Sequence, residues 1–123
     1  YLFDVWKEFV PDLELGLVPG ISAHSLAASR ASVFLAMGED VLSIIPGTDS
    51  REHIFEALKA ADSAAVYKPC ALKESLKETV TAAGPWRKIL RIDRAGLPDE
   101  RIFEGEAALN PAEEYLSILL LWR

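Results

Sequence analysis

Cysteine and histidine are scarce in this sequence of 123 residues, which contains one cysteine and two histidines. The single thiol, Cys70, excludes a disulfide within the chain and offers no cysteine pair to a metal, a usage typical of the reducing cytoplasm. His24 and His53 lie far apart in sequence and have no flanking cysteine or paired carboxylates. We therefore expect no metal site and a cytoplasmic location.

Long hydrophobic runs and an excess of positive charge are also absent. The longest apolar run, residues 118–122, is far shorter than the roughly 20 residues that a membrane-spanning helix needs. Asp4, Lys7 and Glu8 interrupt the apolar residues near the start and argue against a secretory signal. The net charge of −6 disfavours a polyanionic ligand. We expect neither a membrane nor a nucleic acid as partner.

Familiar catalytic signatures are missing as well. The sequence has no Walker loop, no zinc signature, no Gly-x-Gly-x-x-Gly fingerprint and no recognisable Ser-His-Asp arrangement. No residue is therefore assigned a catalytic role. Because the sequence starts at Tyr1 rather than Met, we expect it to be a piece of a longer protein.

The hydrophobic pattern that is present divides the first third of the chain into three elements. Residues 1–9 carry a helical apolar stripe that ends before Pro11. Residues 13–18 are predicted to form a short buried strand, closed by the turn at Pro19-Gly20. Ser22 is then placed to cap a helix that is rich in small residues.

The rest of the chain alternates between strands and helices and then contains strands only. Capping-box spacing of Asp49 and Glu52 predicts one helix, and Pro69 lies near the start of another that ends at Gly84-Pro85. The apolar runs predict strands at 41–45, 64–67, 88–93, 101–106 and 115–122, the last of which could also be helical. This order predicts one α/β domain over residues 1–123, a mixed sheet flanked by helices.

Three segments follow predicted strands, at the edge where open α/β sheets usually bind ligands. They are residues 18–23, 66–70 and 93–101. From the residues alone, the first is either an ordinary turn with a serine cap or a set of free backbone N–H groups that hold a polar ligand. Lys68 is either merely solvated or a residue that holds a carboxylate or tunes a nucleophile. Cys70 is better explained as an inert thiol than as a nucleophile. The third is either a polar loop with exposed ion pairs or a ligand-lining loop.

Taken in order, these segments resemble the C-terminal half of the tetrapyrrole (precorrin) methyltransferases. The resemblance rests on Val-Pro-Gly-Ile-Ser-Ala at 18–23, Ile-Pro-Gly-Thr at 45–48, Tyr-Lys at 67–68, Asp-Arg-Ala-Gly-Leu-Pro-Asp-Glu-Arg at 93–101 and Tyr-Leu-Ser-Ile at 115–118. Within that family the pattern is most similar to the subfamily that methylates C20 of precorrin-2 or cobalt-factor II. Tyr67 and Gly96 depart from it, since the subfamily usually has Met and Thr there.

The resemblance implies an S-adenosylmethionine site in a cleft between two α/β domains. It implies cofactor contacts at Ser22, Ala23, Lys68 and Ala95, and it makes substrate-cleft candidates of Pro19, Gly20, Ile21, Arg94 and Gly96. This sequence would then be the C-terminal domain, with residues 1–12 as the tail of an interdomain helix or linker and the N-terminal domain absent. The expected partners are a corrin-precursor substrate, the protein's own N-terminal domain and a second copy in a homodimer.

The same resemblance leaves alternatives open. A fragment of this kind is expected to be inactive alone. Methyl transfer depends mainly on alignment of donor and acceptor, so no visible acid or base is required. The methylated position could instead be another precorrin carbon, or the domain could have kept the fold without the enzymatic activity.

Overall fold

The computed structural model describes residues 2–12, 14 and 16–123, with the exception of the Phe3 side chain. Four α-helices and five strands are present in this part of the chain, together with 3-10 turns at Pro69–Leu72 and Gly105–Leu109. The helices are α1 (Leu2–Phe9), α2 (Ala23–Arg30), α3 (Arg51–Lys59) and α4 (Ser75–Ala83). The strands are β1 (Leu42–Pro46), β2 (Ser63–Tyr67), β3 (Lys88–Asp93), β4 (Arg101–Glu104) and β5 (Ser117–Trp122).

The strands form one mixed sheet in the order β1-β2-β5-β3-β4. β1 and β2 pair in parallel, whereas β5 pairs antiparallel with both β2 and β3, and β4 pairs antiparallel with β3 at the edge. β2 and β3 therefore run in the same direction, yet the last strand separates them. The predicted class, a mixed sheet flanked by helices, is confirmed.

The central strand β5 explains why the final apolar run has no polar alternation. All six of its residues are buried, because neighbours flank it on both sides and helices cover both faces. Leu119 and Leu121 pack with α3 and α4, while Leu120 and Trp122 face the layer that contains α2. The ambiguity of residues 115–122 is thus resolved as a strand over 117–122.

The two faces of the sheet carry cores of unequal extent. Under α3 and α4 the core includes the fully buried Ile54, Leu58 and Leu76. On the opposite face the short helix α2 contributes the buried Ala27 and Ala28, and Val33 and Leu35 from the segment after it pack against the same core. The small side chains of the two alanines let α2 lie close to the sheet and leave space beside it.

Several sequence predictions are confirmed. The strands predicted at 41–45, 64–67 and 88–93 correspond to β1, β2 and β3, and the helix predicted over 1–9 corresponds to α1. The helix predicted after Ser22 is α2. These segments are apolar runs or good helix-forming stretches with turn residues or prolines near their ends, so the local pattern was sufficient.

The strand predicted at 13–18 is wrong for the residues that the structure describes. Residues 14 and 16–18 belong to no strand, and Leu17 and Val18 are 85% and 93% exposed. Leu13 and Leu15 lie outside the described residues, as does Tyr1. An apolar run forms a strand only where a neighbouring strand accepts its hydrogen bonds, and no described strand pairs with this segment.

The remaining differences concern element ends. Ser50, not Asp49, caps α3, since its side chain accepts the His53 backbone N–H at 3.2 Å. The helix predicted from Pro69 is divided into a 3-10 turn and α4, because Lys73 has a positive φ of 49° between them. β4 stops at Glu104, and a 3-10 turn begins at the next residue.

Candidate functional site

A pocket of about 390 Å³ opens at one edge of the sheet. It lies where β2 and β3 end and where β5 begins, beside the first turn of α2. Its walls are mainly apolar, and polar groups enter it at a few points. The apolar side chains include Leu26, Ile92, Leu97, Leu116 and Ile118, and the polar ones are Tyr67, Lys68, Arg94, Tyr115 and Ser117. Such a combination is typical of a small-molecule site.

Four of the residues predicted from the sequence meet in this pocket. Ala23, Lys68, Arg94 and Ala95 all line it, although they come from three separate parts of the chain. Lys68, Arg94 and Ala95 converge because they follow β2 and β3, which run in the same direction and end at one edge of the sheet. Ala23 follows no described strand, and the packing of α2 beside that edge brings it to the pocket.

The other predicted residues lie beside or away from the pocket. Ser22 directly precedes α2, but its hydroxyl contacts His24 and Ser25 and caps no backbone group of the helix. Gly96 packs against Leu26, which lies 3.4 Å from where a Cβ would stand. Pro19, Gly20 and Ile21 belong to an exposed segment without regular secondary structure, outside the lining, so their role as cleft residues stays a prediction.

The backbone at Tyr67 and Lys68 is held by close contacts with other elements. The Gly47 N–H donates to the Tyr67 carbonyl oxygen at 2.7 Å, and the Lys68 N–H donates to the Ser117 carbonyl at 3.3 Å. Lys68 has a positive φ of 53°, and its ammonium lies 4.7 Å from the centre of the Tyr115 ring. The Ile-Pro-Gly-Thr segment therefore supports the Tyr-Lys segment directly.

Arg94 is fixed by acidic neighbours at the mouth of the pocket. Its Nε lies 2.6 Å from an oxygen of Asp99, and its Nη1 lies 3.8 Å from Glu114. The hydrogen bond from Arg94 lowers the pKa of Asp99 below its usual range. The Arg94 N–H also donates to the Leu116 carbonyl at 2.7 Å. The guanidinium is thus already partly neutralised within the loop.

A second ion pair fastens the same loop to α2. Glu100 accepts from Arg30 Nε at 2.9 Å and from the Gly96 N–H at 2.6 Å. The hydrogen bond from Arg30, followed by the one from Gly96, lowers the pKa of Glu100. The carboxylate therefore joins two walls of the pocket.

Sequence reasoning missed two pairs of polar side chains near this edge. His24 contacts the hydroxyl of Tyr67, and Arg91 lies 3.2 Å from Asp93 with both side chains buried. Burial raises the pKa of Asp93, although Arg91 and Arg101 act in the opposite direction. Neither pair has a sequence signature, because the importance of each side chain becomes visible only when its partner is seen beside it in the fold. The one hint of the second pair in the sequence is that charged residues alternate with apolar ones in the predicted strand, at Arg91 and Asp93.

Other expectations can be compared with the described residues. Within residues 2–12, 14 and 16–123, no three His, Cys, Asp or Glu side chains come together as a metal site would need. No helix in this part of the chain is long and apolar enough to cross a bilayer. Cys70 is half-buried.

Comparison with known proteins relates the whole arrangement to one family. Residues 1–109 match the family model "Tetrapyrrole (Corrin/Porphyrin) Methylases". The chain is 27% identical over 105 residues to cobalamin biosynthesis protein CobIJ of Mycobacterium tuberculosis. The aligned region covers 85% of this chain and 21% of that protein. It is also 24% identical over 105 residues to a precorrin-2 C(20)-methyltransferase of Sinorhizobium sp., and this alignment covers 85% of this chain and 43% of that protein.

A solved structure shows the same fold. The uroporphyrin-III C-methyltransferase of Thermus thermophilus, crystallised with S-adenyl homocysteine, superposes with a TM-score of 0.64 at 17% identity. The match covers 98% of this chain and 58% of that structure. The chain thus spans less than two thirds of each of these proteins. Since the family model matches most of its residues, this chain belongs to the tetrapyrrole (corrin/porphyrin) methylases.

Proposed function

We propose that this chain supplies part of the cofactor site of an S-adenosylmethionine-dependent methyltransferase of cobalamin biosynthesis, with C20 of precorrin-2 or cobalt-factor II as the methyl acceptor. The observation that carries the proposal is the pocket in which Ala23, Lys68, Arg94 and Ala95 meet. Those residues belong to the three segments that resemble the family, and the fold brings the segments to one edge.

The residues of this pocket fit the cofactor. A volume of about 390 Å³ is within the usual range for small-molecule sites. Leu26, Ile92 and Leu97 offer apolar walls to an adenine ring, and Lys68 and Ser117 offer polar groups to the ribose or the amino-acid end. A mostly apolar cavity with a few polar groups suits a ligand that has both kinds of surface.

The bound cofactor would supply an electrophilic methyl group on a sulfonium. This chain's residues would bind and orient the donor and keep water from it. Ala23 and Ala95 have small side chains, which let a ligand approach the backbone closely. Alignment of this kind contributes much of the rate of a bimolecular transfer, so a site without a dedicated acid or base is chemically sufficient.

The choice of C20 rests on two supports. The segments at 45–48, 67–68 and 93–101 resemble the C20 subfamily, and one relative is named as a precorrin-2 C(20)-methyltransferase. Methylation at another precorrin carbon is the alternative, because the structural neighbours include a uroporphyrin-III methyltransferase. Incubation of the full-length protein with precorrin-2 and 13C-methyl-labelled cofactor tests this. An NMR signal at C20 is expected, and a labelled methyl at another carbon would contradict the assignment.

The proposal extends to the organisation of the protein. We place this chain as the C-terminal domain of a two-domain cytoplasmic enzyme that forms homodimers, with residues 1–12 leading from the N-terminal domain and the chain inactive alone. The support is exposed apolar surface: Trp6 and Phe9 of α1 are 48% and 78% exposed, and Val18 and Ile21 are 93% and 79% exposed. A second domain or copy that covered these side chains would stabilise the protein.

Calorimetric titration of S-adenosylhomocysteine into the full-length protein tests the cofactor site. Saturable binding is expected, with a much weaker response from the isolated residues 1–123. Lys68→Ala is expected to weaken binding, whereas Lys59→Ala, on the exposed end of α3, should leave it unchanged. No binding by the full-length protein would favour a domain that has lost the cofactor and kept only the fold.

A further inference from the structure

The hydroxyl of Tyr67 joins the end of β2 to the start of α2. Its oxygen lies 2.8 Å from His24 Nδ1 and 3.3 Å from the His24 backbone nitrogen. The two rings meet edge to face, with centroids 6.0 Å apart. Both residues are half-buried, and they are 43 positions apart in sequence. We name these contacts of Tyr67 with His24 the phenol latch.

One arrangement of hydrogens satisfies every contact in this group. The Tyr67 oxygen accepts from the His24 backbone N–H, and the Tyr67 hydroxyl donates to His24 Nδ1. The Nε2–H of His24 then donates to the hydroxyl of Ser22 at 3.1 Å, and Ser22 donates to Ser25 at 2.8 Å. Both ring nitrogens of His24 have partners, so the imidazole is held in one orientation.

The phenol latch replaces the cap that Ser22 would ordinarily provide. Ser22 occupies the N-cap position of α2, but its side chain caps no backbone group. The second N–H of the helix, that of His24, is instead satisfied by Tyr67 from another element. The position of the first turn of α2 therefore depends on the position of Tyr67, rather than on its own cap residue.

Tyr67 is itself held from the opposite side. Its carbonyl accepts from the Gly47 N–H, and its strand pairs Tyr67 with Ile118 of β5. Its side chain lines the pocket together with Ala23, the first residue of α2. The phenol latch thus determines how far apart Ala23 and Lys68 stand, since it ties together the two segments that carry them.

We propose that Tyr67 is a positioning residue that preorganises the cofactor pocket, and that His24 acts through it. This inference rests on the proposed function and adds two residues to which the family resemblance gave no role. Without the phenol latch, the first turn of α2 loses a tie to β2, and the bound cofactor has to order it. That ordering cost weakens cofactor binding without altering the reacting atoms.

A double-mutant cycle on the full-length protein tests the phenol latch. Tyr67→Phe removes the hydroxyl and with it both contacts to His24. His24→Phe keeps a ring of similar size and the backbone N–H, but removes the ring contacts with Tyr67 and Ser22. Each change is expected to raise the Kd of S-adenosylhomocysteine about five-fold, the loss that one hydrogen bond between uncharged groups produces. The double variant is expected to show about the same five-fold loss rather than the product of the two.

Kinetics and hydrogen exchange distinguish positioning from a merely structural role. For Tyr67→Phe the KM for S-adenosylmethionine should rise about five-fold while kcat stays within about two-fold. The backbone amide of His24 should exchange faster in the same variant. His53→Gln, an exposed histidine on α3, is the matched control and should change none of these values.

The outcomes separate the two proposals. Failure of the unchanged protein to bind S-adenosylhomocysteine contradicts the proposed function and the role of the phenol latch with it. Binding by the unchanged protein, with equal Kd in Tyr67→Phe and His24→Phe, contradicts the phenol latch alone. Losses that multiply in the double variant, or a fall in kcat without a rise in KM, also overturn it.

Discussion

At the residue scale, Gly47 illustrates how a residue without a side chain supports the pocket. A Cβ at this position would lie 2.6 Å from the carbonyl oxygens of both Tyr67 and Lys68. The φ angle of Gly47 is not the reason for glycine here, because the constraint is close approach of two backbone segments. The glycine is visible in the sequence just after β1, but only the fold shows that it permits this close approach.

Gly47→Ala is therefore expected to lower the free energy of unfolding by about 2 kcal/mol, through displacement of the backbone at 67–68. Cofactor affinity should fall in the same variant, because that backbone lines the pocket. Urea unfolding and calorimetry with S-adenosylhomocysteine measure the two effects. Gly16→Ala is the control, since a Cβ there meets nothing within 4 Å. Equal stability of the two variants would contradict the explanation.

Asp93 provides a pH-dependent test at the same scale. Burial raises the pKa of Asp93 in the folded state above its ordinary value of about 3.9. At pH values between the ordinary pKa and the raised one, the folded state therefore binds more protons than the unfolded state. The contribution of this residue to stability is therefore greatest at low pH and is lost as pH rises through the raised pKa. Arg91 and Arg101 oppose the shift without reversing it.

The free energy of unfolding of the unchanged protein, minus that of Asp93→Asn, should accordingly fall as pH rises from about 4 towards 7. The other carboxylates contribute to the pH dependence of stability in both proteins, so their contributions cancel in this difference. Denaturant titrations at a series of pH values measure it. A difference that grows with pH would mean that the Arg91 ion pair outweighs burial.

At the element scale, Arg123 joins the ends of two helices. Its guanidinium donates to the carbonyls of Leu58 and Ala61 near the end of α3 at 3.1 and 2.7 Å, and to that of Ala83 at the end of α4 at 2.9 Å. It also stacks on Trp86, with 4.5 Å between the guanidinium carbon and the ring centre. Helix C-termini have free carbonyls and negative potential, so a single cation stabilises both.

Arg123→Met keeps much of the apolar stem and removes these hydrogen bonds. We expect it to lower the free energy of unfolding by about 2 kcal/mol, because several helix-end carbonyls lose their partner together. Arg87→Met, at an exposed position, should change stability by less than about 0.5 kcal/mol. Thermal unfolding monitored by circular dichroism distinguishes the two, and similar midpoints for both variants would refute the capping role.

At the scale of the whole molecule, stability depends on the last strand in the sequence. β5 lies between β2 and β3 and contributes to the cores on both faces. A chain that ends after Tyr115 would leave two open strand edges and an unfilled interior. We expect such a chain to show no cooperative unfolding transition in denaturant.

Removal of residues 1–12 is the matched comparison, since the described side chains of that segment are exposed. It should preserve a cooperative transition whose midpoint shifts little. Cooperative unfolding of the chain that lacks residues 116–123 would show that β1–β4 form a stable unit without the central strand.

Part of this organisation could be predicted from the sequence. The helices and strands at 23–30, 42–46, 63–67 and 88–93 follow from apolar periodicity and from the turn residues that bound them. The convergence of Lys68, Arg94 and Ala95 was also predictable, because the strands before them run in the same direction. The strand predicted before Ala23 does not form over the described residues, so the packing of α2, not a preceding strand, brings Ala23 to the pocket. Ser22 and Gly96 were placed near the site, although neither residue lines the pocket.

The sequence by itself determined the fold class, the family and the segments that form the pocket, since each depends on residues that are neighbours along the chain. Only the tertiary structure decided that β5 separates β2 from β3, that residues 16–18 form no strand, and that Tyr67 rather than Ser22 caps α2. Each of these depends on a hydrogen-bonding partner far away in sequence. The hydrophobic pattern indicates which way a side chain faces, but it does not indicate which group from a distant part of the sequence will contact it.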